Sequence, residues 1–311
     1  MPISATGHSP PEAGAEDTMG LFLQQIVSGI ATGMLYGLLG VSLLTIYEGT
    51  KVLNFSQGGL ATVSAYGAWE LGRAGLNFWL ALAVAVFGSF LLGCLIERVL
   101  IRPAQGASEL TLLVVTAALL LLTTAIITIV WGVDAQSVSS PFGTHVWHVA
   151  GALVTAQQLG TAVFGLAAAI IVWLILTRTP LGLKVRATAM NRQSAEYLGI
   201  DAGQMLGIGW GLAAAMGAVA GIFTAPASQL SPDMMTSAIL MTFAAFILGG
   251  VGSLGGVILG GIIVGITTNL GLTYVSFLSG GVEDIVPFAF IVLVLLVRPQ
   301  GLFGRVTAIR S

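Results

Sequence analysis

Long runs of the chain contain no charged side chain, and this scarcity of charge constrains the fold more than any other feature. Only 8% of the 311 residues are charged, whereas 56% are hydrophobic. A soluble domain carries about 25% charged residues because its surface faces water. The sequence therefore predicts an all-α, polytopic integral membrane helix bundle. A formal net charge of −2 and the absence of any basic run argue against a nucleic-acid partner.

Eight apolar stretches are the candidate membrane segments. A helix needs about 20 apolar residues to cross the hydrocarbon core. The stretches are 21–46, 52–69, 76–96, 110–132, 157–177, 203–225, 234–271 and 285–297. The seventh is nearly twice the required length, and we predict that it is split, with a hinge or re-entrant turn at a run of glycines. These are Gly249, Gly250, Gly252, Gly255 and Gly256. Eight to ten membrane-entering helices are therefore expected.

Lysine and arginine residues indicate the orientation, because cytoplasmic loops are enriched in them. They follow the third and fifth stretches and occur in the C-terminal tail, which predicts an extracytoplasmic N-terminus. The seventh stretch must then begin and end on the same face. The predicted organisation is a polar extracytoplasmic tail at 1–19, a transmembrane domain at 20–298 with a cytoplasmic loop at 178–202, and a cytoplasmic tail at 299–311.

Glycines spaced four residues apart predict close helix packing. Gly29, Gly33 and Gly37 share one face of the first helix. Such small residues allow the backbones of transmembrane helices to approach each other. The same spacing recurs at Gly217 and Gly221, at Gly256 and Gly260, and at Gly261 and Gly265.

Catalytic motifs are missing from the sequence. No Walker A pattern is present, so the chain does not supply its own ATPase through a P-loop. Gly250–Gly255 matches a dinucleotide-binding pattern, but membrane segments flank it instead of a strand and a helix. His145 and His148 lack a third ligand for a metal. We therefore expect a transport protein that is not an enzyme and binds no cofactor.

Charged side chains are also absent from the eight stretches. Ion-coupled transporters usually place such groups within the membrane, so energy for transport is expected to come from other subunits. Asn54, Ser56 and Gln57 do interrupt the second stretch with polar groups. They are candidates for a translocation path, and a role in holding helices together is equally open.

The loop at 178–202 is longer than a simple connection requires. Its alanine-rich spacing predicts short amphipathic helices, which suit docking into a groove on a soluble partner.

Five segments, in order along the chain, resemble the permease subunits of branched-chain amino-acid ABC importers, the LivH-like family. They are G-M-L-Y-G-L-L-G-V-S-L-L at 33–44, V-L-N-F-S-Q-G-G at 52–59, G-L-K-V-R-A-T-A at 182–189 with A-E-Y-L-G-I-D at 195–201, F-A-A-F-I-L-G-G-V-G-S-L-G-G at 243–256, and V-R-P-Q-G-L-F-G at 297–304. Ser56 and Gln57 depart from the family's pattern.

The resemblance implies one transmembrane half of a multi-subunit importer in the bacterial cytoplasmic (inner) membrane, in contact with lipid. It implies a second homologous permease, two cytoplasmic ATPase subunits that use the ATP, and an extracytoplasmic substrate-binding protein. The ATPase-coupling residues would be Arg186, Ala187, Ala195, Glu196, Leu198, Gly199 and Ile200. Branched-chain or other small polar amino-acid-like solutes are the expected cargo. The alternative is a stand-alone channel or secondary transporter for a small neutral solute such as urea.

Overall fold

A computed structural model describes most of the chain, which is helical nearly throughout. The described residues are 15–104, 106, 108–149, 151–275, 285, 289, 291–293, 296 and 301–302. Most of the predicted N-terminal tail, the eighth apolar stretch and the C-terminal tail lie outside them.

Eleven helices follow one another along the described residues. They are α1 (Ala15–Thr50), α2 (Gln57–Arg73), α3 (Phe78–Ile96), α4 (Arg102–Ala104), α5 (Glu109–Trp131), α6 (Ala156–Arg178), α7 (Pro180–Met190), α8 (Arg192–Tyr197), α9 (Ala202–Ser228), α10 (Thr236–Gly249) and α11 (Leu254–Tyr274). Side chains that accept a backbone N–H cap several of these helices, including Asn77 at α3 and Ser108 at α5. Such caps satisfy polar groups that have no partner inside the helix.

Six helices of the described part are long and apolar enough to cross a membrane. The expected all-α bundle is therefore present, but the described residues show six long segments and not the expected eight. The second apolar stretch forms only the 17 residues of α2. The seventh stretch is divided, as predicted, into α10 with 14 residues and α11 with 21. Glycines 250 and 252 adopt φ angles of +85° and +90° in the turn between them, which favour glycine.

A small β-hairpin departs from the all-helical expectation. Strands β1 (Val146–Val149) and β2 (Ala152–Thr155) pair antiparallel, with Val146 opposite Thr155 and Val149 opposite Ala152. The hairpin lies in the loop between α5 and α6, which carries both histidines of the rejected metal site. The described residues hold no group of three or more metal-ligating side chains.

The glycine face of α1 packs directly against α11. Gly29 meets Ile266, Gly33 meets Gly261 and Ile262, and Gly37 meets Ile258, so the two helices run antiparallel. A Cβ atom on Gly33 would lie 2.7 Å from the Cα of Ile262 and 2.6 Å from the carbonyl oxygen of Gly261. The predicted role of these glycines in close packing is confirmed.

Three segments lie at the C-terminal end of α1. Glu48 near the end of α1, Arg186 in α7 and the turn at 252–255 line one cavity. The amide of Leu302 also donates to the carbonyl of Leu248 beside that turn, at 2.7 Å. The long loop, the turn of the seventh stretch and residue 302 therefore share one face of the bundle. That this face is cytoplasmic remains a prediction from the arginine and lysine distribution.

The third apolar stretch extends further than expected. A π-helical turn at Glu97–Ile101 joins α3 to α4, so one apolar segment runs from Phe78 to Ala104. It carries the fully buried Glu97, whose Oε2 lies 2.8 Å from Arg102 Nη2. The same Nη2 atom donates to the carbonyl of Gly203 at 2.6 Å. This pair lies just beyond the charge-free stretch at 76–96, on the extension of the same helical segment, and its two charges neutralise each other.

Replacing Gly33 by alanine tests the contact between α1 and α11. The added methyl group would press on the backbone of α11, and overpacking of this kind costs at least about 2 kcal/mol. We expect a lower apparent Tm for the detergent-purified protein. Gly67→Ala in α2 is the matched control, because nothing lies within 4 Å of its Cβ position. Equal apparent Tm values for the two variants would contradict the packing argument.

Candidate functional site

The three polar residues that precede and open α2 form one buried cluster. Asn54, Ser56 and Gln57 each have no exposed surface. Asn54 Oδ1 accepts from the backbone N–H of Ser56 at 3.0 Å and from its hydroxyl at 2.6 Å. Asn54 Nδ2 donates to Gln57 Oε1 at 3.4 Å. The cluster therefore satisfies its own polar groups where α2 begins, as groups away from water require.

Gln57 also connects α2 to α9. Its Nε2 donates to the carbonyl oxygen of Ala213 at 2.8 Å. Gly217, one turn further along α9, provides the space, since a Cβ atom there would lie 2.6 Å from Gln57 Nε2. Gly221, the second glycine of this predicted pair, packs against Ala61 of α2. Gln57 thus joins two helices, which is one of the two roles the sequence left open.

A cavity of about 100 Å³ lies one turn beyond this cluster. It is bounded by α2, α5 and the start of α10, and both Gly58 and Gly59 line it. Threonines 62, 124 and 236 and the carboxylate of Asp233 make its wall partly polar. The cluster and the cavity together place polar groups along α2 inside an otherwise apolar bundle.

The glycines of the seventh stretch have two distinct functions in packing. Gly250 and Gly252 form the turn through their positive φ angles. Gly249 and Gly256 sit where α10 and α11 approach closely, because a Cβ on Gly249 would meet the carbonyl of Gly256 at 2.5 Å. Gly255 has open space around its Cβ position. A hinge motion at these residues remains a prediction.

Two short helices form the predicted coupling loop. The side chains of Thr179 and Asn191 cap α7 and α8. Gly199 has a φ of +77° just after α8, and Asp201 then caps α9. The chain therefore turns at Asn191 and again at Gly199, and the four residues 198–201 separate α8 from α9.

The predicted coupling residues divide into anchoring and exposed positions. Ala195 is buried, and its carbonyl accepts from the amide of Ile200 at 3.0 Å. Arg186 is exposed on α7 and Ala187 is half-buried. Glu196 forms an exposed ion pair with Arg192 at 3.0 Å. Leu198 is 79% exposed.

An exposed apolar side chain next to Leu198, that of Tyr197, was missed by the sequence analysis. Tyr197 is 89% exposed and Met190 is 88% exposed, although both are apolar enough to be buried. Tyr197 stands directly before Leu198 and Gly199, so the adjacency of two large apolar residues to a helix-ending glycine was a usable signal. The ends of α7 and α8 thus each carry exposed apolar side chains, Met190 on α7 and Tyr197 on α8 with Leu198 just after it. These three residues are called the exposed apolar surface of the loop.

The chain is similar to known transport proteins over most of its length. Residues 25–295 match the family described as branched-chain amino acid transport system / permease component. The permease protein LivH of the high-affinity branched-chain amino acid transport system from Salmonella typhimurium is 28% identical over 299 residues, covering 91% of this chain and 96% of that protein. BraD of Pseudomonas aeruginosa is 27% identical over 301 residues, with the same coverage.

One further sequence relative and one solved structure are also similar to this chain. A probable branched-chain amino acid transport permease LivH from Methanocaldococcus jannaschii is 27% identical over 288 residues, covering 86% of this chain and 88% of that protein. The solved structure of PsaBC from Streptococcus pneumoniae in complex with Fab matches with a TM-score of 0.52 and 16% identity, over 92% of this chain and 96% of that one. The structural match supports the fold alone. Because the family match spans nearly the whole described bundle, this chain belongs to the permease components of branched-chain amino acid transport systems.

Proposed function

We propose that this chain is one transmembrane half of an ATP-driven importer in the bacterial inner membrane, which carries branched-chain or similar small amino-acid-like solutes. The family match over residues 25–295 carries this proposal. The relatives described above are all permease proteins of transport systems, so a stand-alone channel or secondary transporter is not favoured. The chain itself lacks a P-loop, which fits energy supplied by separate subunits.

The exposed apolar surface of Met190, Tyr197 and Leu198 is our proposed ATPase-docking surface. A short helix that presents apolar side chains suits insertion into a groove of a soluble partner. Only the four residues 198–201 separate α8 from α9, and the Arg102 contact to Gly203 holds the first turn of α9. A displacement of the docking surface would therefore be transmitted to α9.

The buried polar cluster at the start of α2 packs against α9. α9 meets Gln57 through the carbonyl of Ala213, so one rigid element connects the docking surface to the cluster. We place the translocation path beside Asn54, Ser56 and Gln57, where the adjoining cavity of about 100 Å³ offers hydroxyl groups. The exposed apolar faces of α3, α5 and α6 would be shared between lipid and a second, homologous permease.

Reconstitution tests the function as a whole. Proteoliposomes would contain this chain, its second permease and its ATPase subunits, together with the binding protein. We expect uptake of radiolabelled leucine only with both ATP and the binding protein. Uptake by this chain alone, without ATP, would contradict the importer and support a channel.

Replacing Tyr197 and Leu198 by serine tests the proposed docking surface. The change removes apolar contact area from a solvent-exposed tip, so the fold should persist while affinity for the ATPase falls. We expect at least about tenfold less ATPase in a pull-down with the tagged permease, which corresponds to 1.4 kcal/mol of lost binding. The control is Trp147→Ser, an exposed aromatic in the hairpin at the opposite end of α6. Full ATPase recovery with the double variant would mean that another surface docks it.

Replacing Gln57 by leucine separates transport from packing. The side chains are similar in size, but leucine removes the hydrogen bonds to Asn54 and Ala213. If the cluster lines the path, uptake of the amino acid leucine should fall at least about tenfold. The free energy of unfolding, followed through the apparent Tm, should fall by no more than the roughly 1–3 kcal/mol that leaving the buried Asn54 amide without its acceptor costs. Thr128→Val in α5 is the control for a polar-to-apolar change away from the cluster. Unchanged uptake with a lowered Tm would leave Gln57 a packing role only.

A further inference from the structure

A second cavity, of about 310 Å³, lies at the end of the bundle that carries α7. The C-terminal end of α1, the end of α6, α7 and the turn before α11 surround it. Its walls include Glu48, Trp173, Leu176, Thr177, Val185 and Arg186. A cavity of this volume matches the small end of the range for sites that bind small molecules.

Two opposite formal charges line this cavity. Glu48 is half-buried near the end of α1, and Arg186 is exposed on α7. Among the described residues, neither side chain is close enough to an opposite charge to form a direct ion pair, although Lys51 as well as Arg186 acts electrostatically on Glu48. Glu48 and Arg186 therefore offer one negative and one positive group to the same space, which is the chemistry that recognises a zwitterion.

The C-terminal end of α1 adds partial negative charge to this cavity, and the N-terminal end of α11 adds partial positive charge. α1 ends at Thr50, two residues after Glu48, and a helix C-terminus carries partial negative charge. α11 begins at Leu254, and both Leu254 and Gly255 line the cavity. Ser253 Oγ accepts from the N–H of Gly256 at 3.0 Å, and the other N–H groups of the first turn, which have no partner inside the helix, are of the kind that binds carboxylates and phosphates. An ammonium group is thus favoured near the end of α1, and an anionic group near the start of α11.

The remaining wall is apolar. Trp173 and Leu176 of α6 and Val185 of α7 line the cavity beside the charged groups. A ligand with an ammonium, an anionic oxygen group and a short aliphatic chain would satisfy all three parts of this wall. A branched-chain amino acid has these features.

We infer that this cavity binds a free branched-chain amino acid from the ATPase side of the membrane, and that its occupancy slows import. The choice of amino acid rests on the proposed function. Val185, Arg186 and Ala189 of α7 all line the cavity, so a bound ligand connects α7 to α1 and restrains the helix that carries part of the docking surface. Accumulated product would thereby restrain the element through which the ATPase acts.

Binding of tritiated leucine tests the site directly. The permease–ATPase complex, without binding protein, is placed in nanodiscs of phosphatidylcholine and phosphatidylglycerol. We expect leucine to bind, and Glu48→Gln to weaken binding at least about tenfold. Leucinamide, which lacks the carboxylate, and 4-methylpentanoate, which lacks the ammonium, should each bind at least about tenfold more weakly than leucine. Glu70→Gln is the matched control, since Glu70 lies at the far end of α2.

Transport provides a second measurement. Vesicles preloaded with leucine on the ATPase side should import more slowly than empty vesicles, and Glu48→Gln should abolish this difference while importing at the normal rate when empty. Normal import also shows that the variant is folded. For Arg186→Gln only leucine binding is measured, because Arg186 is also a predicted ATPase-coupling residue. We expect this variant to bind leucine at least about tenfold more weakly as well.

Three results would overturn the inference. The first is equal leucine binding by wild type and Glu48→Gln, and the second is no leucine binding at all. The third is that the protein retains phosphatidylethanolamine, another zwitterion, in a way that depends on Glu48, and binds no leucine in discs without this lipid. If empty wild-type vesicles import leucine with ATP and binding protein, such a result removes only the regulatory site. If they fail to import, the proposed function itself is wrong.

Discussion

Close approach of glycine backbones is the constraint on which the rest of this bundle depends. Apolar helices gain no hydrophobic free energy by leaving lipid for each other, so packing at short range has to hold them. On α1 and α11 the facing surfaces consist largely of glycine, and a Cβ atom on either side would collide with the other backbone. α6, α9 and α10 then pack around α1, which lies at the centre. The contact between α1 and α11 thus sets the positions of the helices that carry the buried polar cluster.

α9 is the second helix on which the packing depends, because glycines at several positions along it contact different neighbouring segments. Near its start Gly203 lies against the guanidinium of Arg102, and further on Gly211 lies against Phe90 and Cys94 of α3. Gly217 and Gly221 receive α2. α9 therefore contacts both α2 and α3 through its glycines. Polar interactions add specificity to this arrangement, since each is satisfied by a partner on a helix that glycine packing has already brought near.

The sequence predicted features that follow from local chemistry. Apolar runs revealed the membrane segments, glycine spacing identified the close helix contacts, and the parity of the arginine-rich loops required a turn near Gly250. Other features depend on tertiary context. The burial of Glu97 follows from a π-helical turn that brings Arg102 and α9 around it, and charge beside an apolar stretch does not reveal that turn. The exposure of Tyr197 and the hairpin at 146–155 likewise depend on how neighbouring elements fold.

The pairing of the first and the last described long helices has a consequence for biosynthesis. Asn269 Nδ2 donates to Thr32 Oγ1 at 3.2 Å, although 237 positions separate them. At about 5–20 residues per second, a ribosome needs on the order of 10–50 s to make the intervening chain. During that time α1 resides in lipid without its partner, and its glycine surface contacts acyl chains. The contact between α1 and α11 therefore forms only after the helices between them have been made, so this part of the bundle is completed late in synthesis.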